Sequence, residues 1–421
     1  MKAMGAIPGG FAEQQGKLRV GGKTAEHWIE IAGDTPLFLY DAGLIAARVA
    51  LLKAALPAGV GVHYAVKANP ALIDVLAPLV DGLDIASAGE LTMVEAALGA
   101  GAAKPPISFA GPGKRDDELA TAIAAGVTIN LESAAEAARA LTIGAHLGAR
   151  PRLAVRVNPD FELRGSGMKM GGRASPFGVD VGDVPGLVRY VIDAGADWRG
   201  FHIFAGSQTL DTDALIDAQS ATLDLAARLA RDVGTTPPLV NLGGGFGIPY
   251  FPGDRPIDVT AIGAALAEAM ASRPDVLGAT RFAIELGRWL VGEAGVYLTR
   301  IVDRKESRGE VFLVVDGGLH HQLAASGNFG TVVRRNYPLA LAHRMGAAPE
   351  EVVTVVGCLC TPLDRLGDQI GLPRAEVGDV IAIFMAGAYG RSASPTAFLG
   401  HPPPRELVVG RADNPNAIFT S

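Results

Sequence analysis

Between residues 59 and 285, short β-branched runs alternate with longer Ala- and Leu-rich segments. The runs are VGVHYAV (60–66), LDIA (83–86), ISFA (107–110), VTINL (127–131), RLAVRV (152–157), GFHIFA (200–205), LVNL (239–242) and RFAIEL (281–286). Between them lie helix-like stretches such as GELTMVEAALGAG, DDELATAIAAG and TDALIDAQSATLDLAARLARDVG. Strands alternating with helices predict parallel βαβ units. Eight such units predict an α/β fold closed as a (β/α)8 barrel. After residue 290 the texture changes. GVYLTRIV, EVFLVVD, EVVTVVGCLC, DVIAIFMA and RELVVG follow one another without long helices between them. The first 40 residues also read as strand-rich, in KLRV, WIEIAG and PLFLYD. The expected organisation is therefore 1–44 as N-terminal strands joining a β domain, 45–290 as the barrel, and 291–421 as the C-terminal all-β domain.

Composition narrows the function classes. At 421 residues the chain can bury two cores. A net charge of −7 with no basic block argues against a nucleic-acid partner. No stretch is apolar enough to span a bilayer, and MKAMGAIPGGFAEQQ lacks the apolar core of a secretory signal. The two cysteines, Cys358 and Cys360, stand one residue apart, where a disulfide would be strained. A reduced, cytoplasmic, metal-free enzyme with no membrane partner is expected.

Barrel enzymes place their chemistry at the C-terminal ends of the strands. The first run ends on Lys67, which on strand alternation shares a face with His63 and Ala65. Desolvation in a barrel mouth would lower its pKa, and a neutral amine there attacks carbonyls. The bland alternative is a lysine snorkelling to solvent. Other strand ends carry Asp84-Ile85-Ala86-Ser87, then Gly89-Glu90; His202, then Gly206-Ser207-Gln208; Gly243-Gly244-Gly245-Phe246-Gly247; and Glu285-Leu286-Gly287-Arg288. Glycine turns supply bare amides for a phosphate. A phosphorylated aldehyde would engage both the lysine and the glycines, and pyridoxal 5′-phosphate (PLP) meets both needs.

These motifs together resemble the alanine-racemase-fold PLP decarboxylases, the group of diaminopimelate, ornithine and arginine decarboxylases. YAVKAN (64–69), D-x-A-S-x-G-E (84–90), HIFAGSQ, GGGFG, ELGR, Gly357-Cys358-Leu359-Cys360-Thr361-Pro362-Leu363-Asp364 and Gly387-Ala388-Tyr389-Gly390 carry the resemblance in family order, over roughly residues 36 to 410. The resemblance implies that Lys67 forms the internal aldimine, with Asp84 near it, a structural cap being the bland reading of Asp84. It implies that His202 stacks on the cofactor ring and that Glu285 pairs with the pyridine nitrogen. Ser207, Gly244, Gly245, Gly287, Arg288 and Tyr389 would hold the phosphate or its surroundings. Cys360 would reach the site from the partner of a head-to-tail homodimer with shared sites and protonate the product carbanion. Cys358 has no family counterpart and reads as a packed strand residue. Arg288, Thr361, Asp364 and Tyr389 are the implied substrate contacts.

Departures from the family pattern bear on the substrate. Ornithine- and diaminopimelate-type members follow the cysteine with an acid that binds a distal ammonium; here stands Thr361. Ala324 and Asn328 align with an arginine and a tyrosine that grip the distal end of diaminopimelate. HIFAGSQ and the loop Gly165-Ser166-Gly167-Met168-Lys169-Met170-Gly171-Gly172 resemble a subgroup with carrier-protein-linked glutamyl decarboxylases and exosortase-associated decarboxylases. That loop reads either as a mobile element whose lysine meets an acidic carrier or as an ordinary surface loop. An α-decarboxylase of an amino acid with a masked distal end, such as an acyl-carrier-tethered glutamyl group, is expected. Diaminopimelate decarboxylase is the alternative.

Overall fold

In the computed structural model all eight runs are strands of one closed parallel barrel. They are β1 (Val60–Ala65), β2 (Gly82–Ile85), β3 (Ile107–Phe109), β4 (Thr128–Leu131), β5 (Arg152–Asn158), β6 (Asp197–Ile203), β7 (Leu239–Asn241) and β8 (Arg281–Leu286). Each pairs with the next, and the ring closes from β8 to β1 through Glu285 opposite His63. The structure describes every residue except 12, 100–103, 166, 170, 328–334, 412–417 and 420–421, with backbone only at 13–14, 168–169 and 418–419.

The chain divides into two units, Arg48–Gly247 with Pro256–Gly287, and Met1–Ala47 with Ile248–Arg255 and Arg288–Ser421. The first is the barrel unit. Its helices start where the sequence supplies a capping oxygen: Ser87 accepts from Glu90 N, Ser133 from Glu136 N and Asp211 from Ala214 N. Bulky Val62, Tyr64, Leu83, Ile85, Val155 and Ile284 are buried. By contrast Gly61, His63, Ser108, Asn130, Ala154, Asn241 and Ala283 line a cavity of about 680 Å³ on the other side of these strands. Barrel centres are usually filled by branched aliphatics; small and polar residues here leave room inside.

In the β unit, Leu37–Asp41 lies between Gly295–Ser307, antiparallel, and Arg405–Val409, parallel. Gly295–Ser307 also pairs with Glu310–Val315 and Val380–Phe384. Glu310–Val315 continues into Glu351–Val356 and then Arg365–Leu372. The N-terminal strand thus completes a sheet made mostly from the last third of the chain. One element differs from the sequence reading. WIEIA of WIEIAG lies inside a helix, Ala25–Ala32, capped by Thr24 and ended by Gly33 in the left-handed region. Buried Ala25, Trp28, Ile29 and Ala32 have helical spacing, which a strand reading of the β-branched residues overlooks. The strand Arg365–Leu372 was also not legible, because its two glycines and its Asp-Gln pair interrupt the apolar run. Among the described residues no helix is long and apolar enough to cross a membrane.

Candidate active site

Strand β1 stops at Ala65, and Val66–Ala68 forms a 3₁₀ turn. The Tyr64 hydroxyl donates to Asn69 O at 2.8 Å and Asn69 caps the next turn. Lys67 is therefore lifted out of the strand alternation and is exposed. The dry lysine pocket expected from the sequence is not what the barrel unit presents; a turn, rather than a strand end, carries the amine. Its Nζ lies 5.9 Å from the Phe204 ring centroid.

Lys67, Asp84, Arg156, His202, Phe204 and Glu285 line one cavity of about 280 Å³, with Phe177 and the 85–86 and 110–112 segments completing it. Asp84, Arg156, His202 and Glu285 are all buried. His202 donates from Nε2 to Glu285 Oε2 at 2.8 Å. Burial disfavours the Glu285 anion, but the His202 hydrogen bond and charge, with Lys67 and Arg156, outweigh it and hold the carboxyl well below its usual value. Glu285 is thus an ionised acceptor, so the shared proton sits on His202 Nε2. His63 donates from Nδ1 to Asp84 Oδ1 at 3.3 Å, and the Ser108 hydroxyl makes a short hydrogen bond to the same oxygen. Burial opposes protonation of His63; the Asp84 carboxylate, helped by Glu285 and Asp81, raises its pKa all the same. Asp84 therefore belongs to a buried network and caps no helix.

The glycine run is demanded by close approach. A Cβ on Gly244 would stand 1.9 Å from Glu285 O, and Gly245, at φ +84°, would place one 2.8 Å from Gly206 O. Ser207 and Gly206 pair with Met168 and Lys169 in a two-stranded ladder, so the backbone of that loop is tied to the end of β6. Ser166 and Met170 lie outside the described residues, as does the Lys169 side chain.

The β unit holds the remaining candidates. Arg288 donates from Nη1 to the Tyr250 hydroxyl at 2.8 Å and stacks 4.6 Å from the Tyr389 ring centroid, with its Nε unpartnered among the described residues. Tyr389 has φ +52°, a strained backbone that holds its ring on the guanidinium. Cys360 is exposed, Thr361 is half-buried, and the Thr361 hydroxyl accepts from Leu363 N at 3.4 Å. Asp364 accepts from Leu319 N at 2.7 Å and from Leu359 N at 2.9 Å. These two bonds brace the loops that carry Leu319 and Leu359. Cys358 is no packed strand residue: its strand ends at Val356, and its half-exposed thiol lies 3.8 Å from His401 Nδ1. Asn328 lies outside the described residues.

Sequence reading missed Arg156, which donates to Glu132 at 2.7 Å and lies 5.0 Å over Phe177. It also missed Phe204 and the buried pair Lys114–Glu136, 2.8 Å apart. Arg156 was findable, since it stands at the C-terminal end of β5, the position searched on the other strands. Lys114 sits in a loop, GPGKR, that gives no periodic signal.

The cavity suits a phosphorylated aldehyde. It offers a primary amine at its mouth, a persistent carboxylate, and two buried atoms, Asp84 Oδ2 and His202 Nδ1, unpartnered among the described residues. Glycine-edged strand ends adjoin it. Residues 42–292, more than half of the chain, match the family model described as "Pyridoxal-dependent decarboxylase, pyridoxal binding domain". The chain is 36% identical over 389 residues to an L-glutamyl-[BtrI acyl-carrier protein] decarboxylase of Niallia circulans, covering 89% of each. It is 32% identical over 414 residues to the diaminopimelate decarboxylase of Methanothermobacter thermautotrophicus, covering 95% of this chain and 92% of the other. A diaminopimelate decarboxylase from M. jannaschii, solved with L-lysine, superposes with a TM-score of 0.83 at 26% identity, covering 95% of this chain and 92% of that one. Motifs, closed barrel and relatives agree, and the chain belongs to the PLP-dependent amino-acid decarboxylases of the ornithine, arginine and diaminopimelate group.

Proposed function

We propose that this decarboxylase acts on an amino acid whose distal end is masked, of the kind presented by a glutamyl group tethered to an acyl-carrier protein. One observation carries the reading. The segment after Cys360 offers the neutral Thr361, whose hydroxyl is turned back to its own loop, where an amine-ended substrate needs a carboxylate. A hydroxyl is a poor counter-ion for a desolvated ammonium. Ala324, in the short helix Leu323–Ser326, likewise offers no charge to a distal carboxylate. The Niallia relative, named for a carrier-linked glutamyl substrate, supports the same reading.

The roles follow from the chemistry of the side chains. PLP, when bound, supplies an electron sink for the pair left behind as carbon dioxide departs. Lys67 would hold its aldehyde carbon, and the flexible stem suits an amine that must release and recapture it. Glu285, kept ionised by His202 and Arg156, would keep the ring nitrogen protonated. His202 would cover one ring face, and Asp84 would fix the mouth beside Lys67. Ser207, Gly244, Gly245 and Gly287 of the barrel unit would hold the phosphate or its surroundings. Cys360, supplied by the partner of a homodimer, would return a proton to the substrate α-carbon; a thiol suits that work.

The test is mass spectrometry of an L-glutamyl carrier protein after incubation with the PLP-loaded enzyme. Loss of one carbon dioxide from the tether is expected. An unchanged tether alongside rapid decarboxylation of meso-diaminopimelate would replace this reading with the housekeeping one.

A further inference from the structure

We propose that His320, Cys358 and His401 form a zinc site in the β unit, with its fourth coordination position open. The three ligating atoms lie within 4.8 Å of one another. Cys358 Sγ and His401 Nδ1 are 3.8 Å apart. In a tetrahedral site with Zn–S near 2.3 Å and Zn–N near 2.0–2.1 Å, sulfur and nitrogen stand about 3.6 Å apart. That edge of the site is thus already close to ligating distance.

His320 supplies the second, independent observation. Its side chain is fully buried, and neither ring nitrogen has a hydrogen-bond partner among the described residues. Leaving a buried imidazole unengaged is costly, and a metal bond satisfies one nitrogen. Its neighbour His321, with ring centroids 3.7 Å apart, is fully used. His321 Nε2 donates to Pro402 O at 3.1 Å, so Nδ1 accepts from the Tyr297 hydroxyl at 2.9 Å. That pairing leaves His320 as the ligand and anchors the segment bearing His401.

The frame around the three residues is braced without the ion. Asp364 ties Leu319 to Leu359, the residues beside His320 and Cys358. Cys358 N donates to Gly317 O at 3.3 Å. Half-buried Cys358 and His401 leave a route from solvent. One thiolate with two imidazoles selects zinc over the hard cations magnesium and calcium. Three protein ligands and one open position match the arrangement that keeps a water or a substrate donor on the metal. A weak S–H···N hydrogen bond between Cys358 and His401 would explain that one contact and leave His320 unexplained. Binding would release the Cys358 proton and fix the loop that carries Cys360 and Thr361 two and three residues on. The inference does not depend on the substrate reading.

The experiment uses the holoenzyme, stripped with a chelator, reloaded with zinc and passed through gel filtration. Elemental analysis should find one zinc per chain, and X-ray absorption at the zinc edge should show one sulfur ligand. Cys358→Ser should abolish the sulfur shell and weaken binding by at least ~100-fold. His401→Ala should also lose the ion, while Cys360→Ser keeps it with its sulfur. No retained zinc, zinc with only nitrogen and oxygen ligands, or a sulfur shell lost in Cys360→Ser instead, would each overturn the assignment. Cys358→Ser is nearly isosteric at a half-exposed position, so its folding is not at issue.

Discussion

The two units carry different kinds of side chain at their candidate sites. The barrel unit concentrates buried charge: Asp84, Arg156 and Glu285 lie with His202 around one cavity, each engaged by a neighbour. The β unit presents neutral or soft groups, namely Thr361, Cys358 and Cys360 on loops and Ala324 in a short helix, with Arg288 clasped by tyrosines. The difference fits the proposed function. Cofactor chemistry needs fixed charges held in a low-dielectric place. On the proposed reading, the neutral residues of the β unit face the distal end of the substrate and leave a charge there unmatched.

The sharpest way to break this comparison is to remove the amine. Lys67→Ala should abolish both the visible absorbance of bound cofactor and carbon dioxide release, with the fold intact because Lys67 is exposed. Retained colour would show that another lysine carries the aldehyde. Next in size, Glu285→Gln should lower kcat by about 10²–10³-fold while cofactor remains bound. The same variant sharpens a pH prediction. The Glu285 pKa is lowered on folding from 4.5 to about 2, so its stabilisation is fully present above 4.5 and is lost as pH falls toward 2. Acid unfolding of the wild type should therefore steepen in that window, and Glu285→Gln should flatten it.

Stability separates the units further. Lys114→Met leaves Glu136 buried without its cation and should cost about 3–5 kcal/mol in chemical denaturation. Breaking the exposed Arg374–Glu376 pair of the β unit should cost about 0–1 kcal/mol. Equal losses would contradict the claim that burial, and not the ion pair itself, sets the size of the effect. A modest gain is expected from Thr361→Asp. It should raise kcat/KM on ornithine or diaminopimelate by about tenfold without changing cofactor binding.

Legibility in the sequence followed the same division. All eight barrel strands stood out because each is a short β-branched run between helical stretches. Lys67, Asp84, His202 and Glu285 were visible at strand ends, and the structure brings them to one cavity. The 3₁₀ turn under Lys67 was not visible, since strand periodicity says nothing about where a strand stops. The helix Ala25–Ala32 was hidden by β-branched isoleucines, although its buried positions keep helical spacing. The His320, Cys358 and His401 cluster was illegible because its members come from three separated segments and no motif spaces them. Asp364 stands in a motif of the sequence, yet only the structure shows both its oxygens held by main-chain N–H groups.

On the proposed reading, a cofactor site common to the family serves a substrate with a masked far end. The measurement that tests it most directly is the ratio of kcat/KM for L-glutamyl carrier protein to that for meso-diaminopimelate, taken on the PLP-loaded wild type by carbon dioxide release. A ratio above 100, a difference of about 2.7 kcal/mol in transition-state binding, is predicted. A ratio below one would contradict the account and make the neutral Thr361 compatible with a free ammonium.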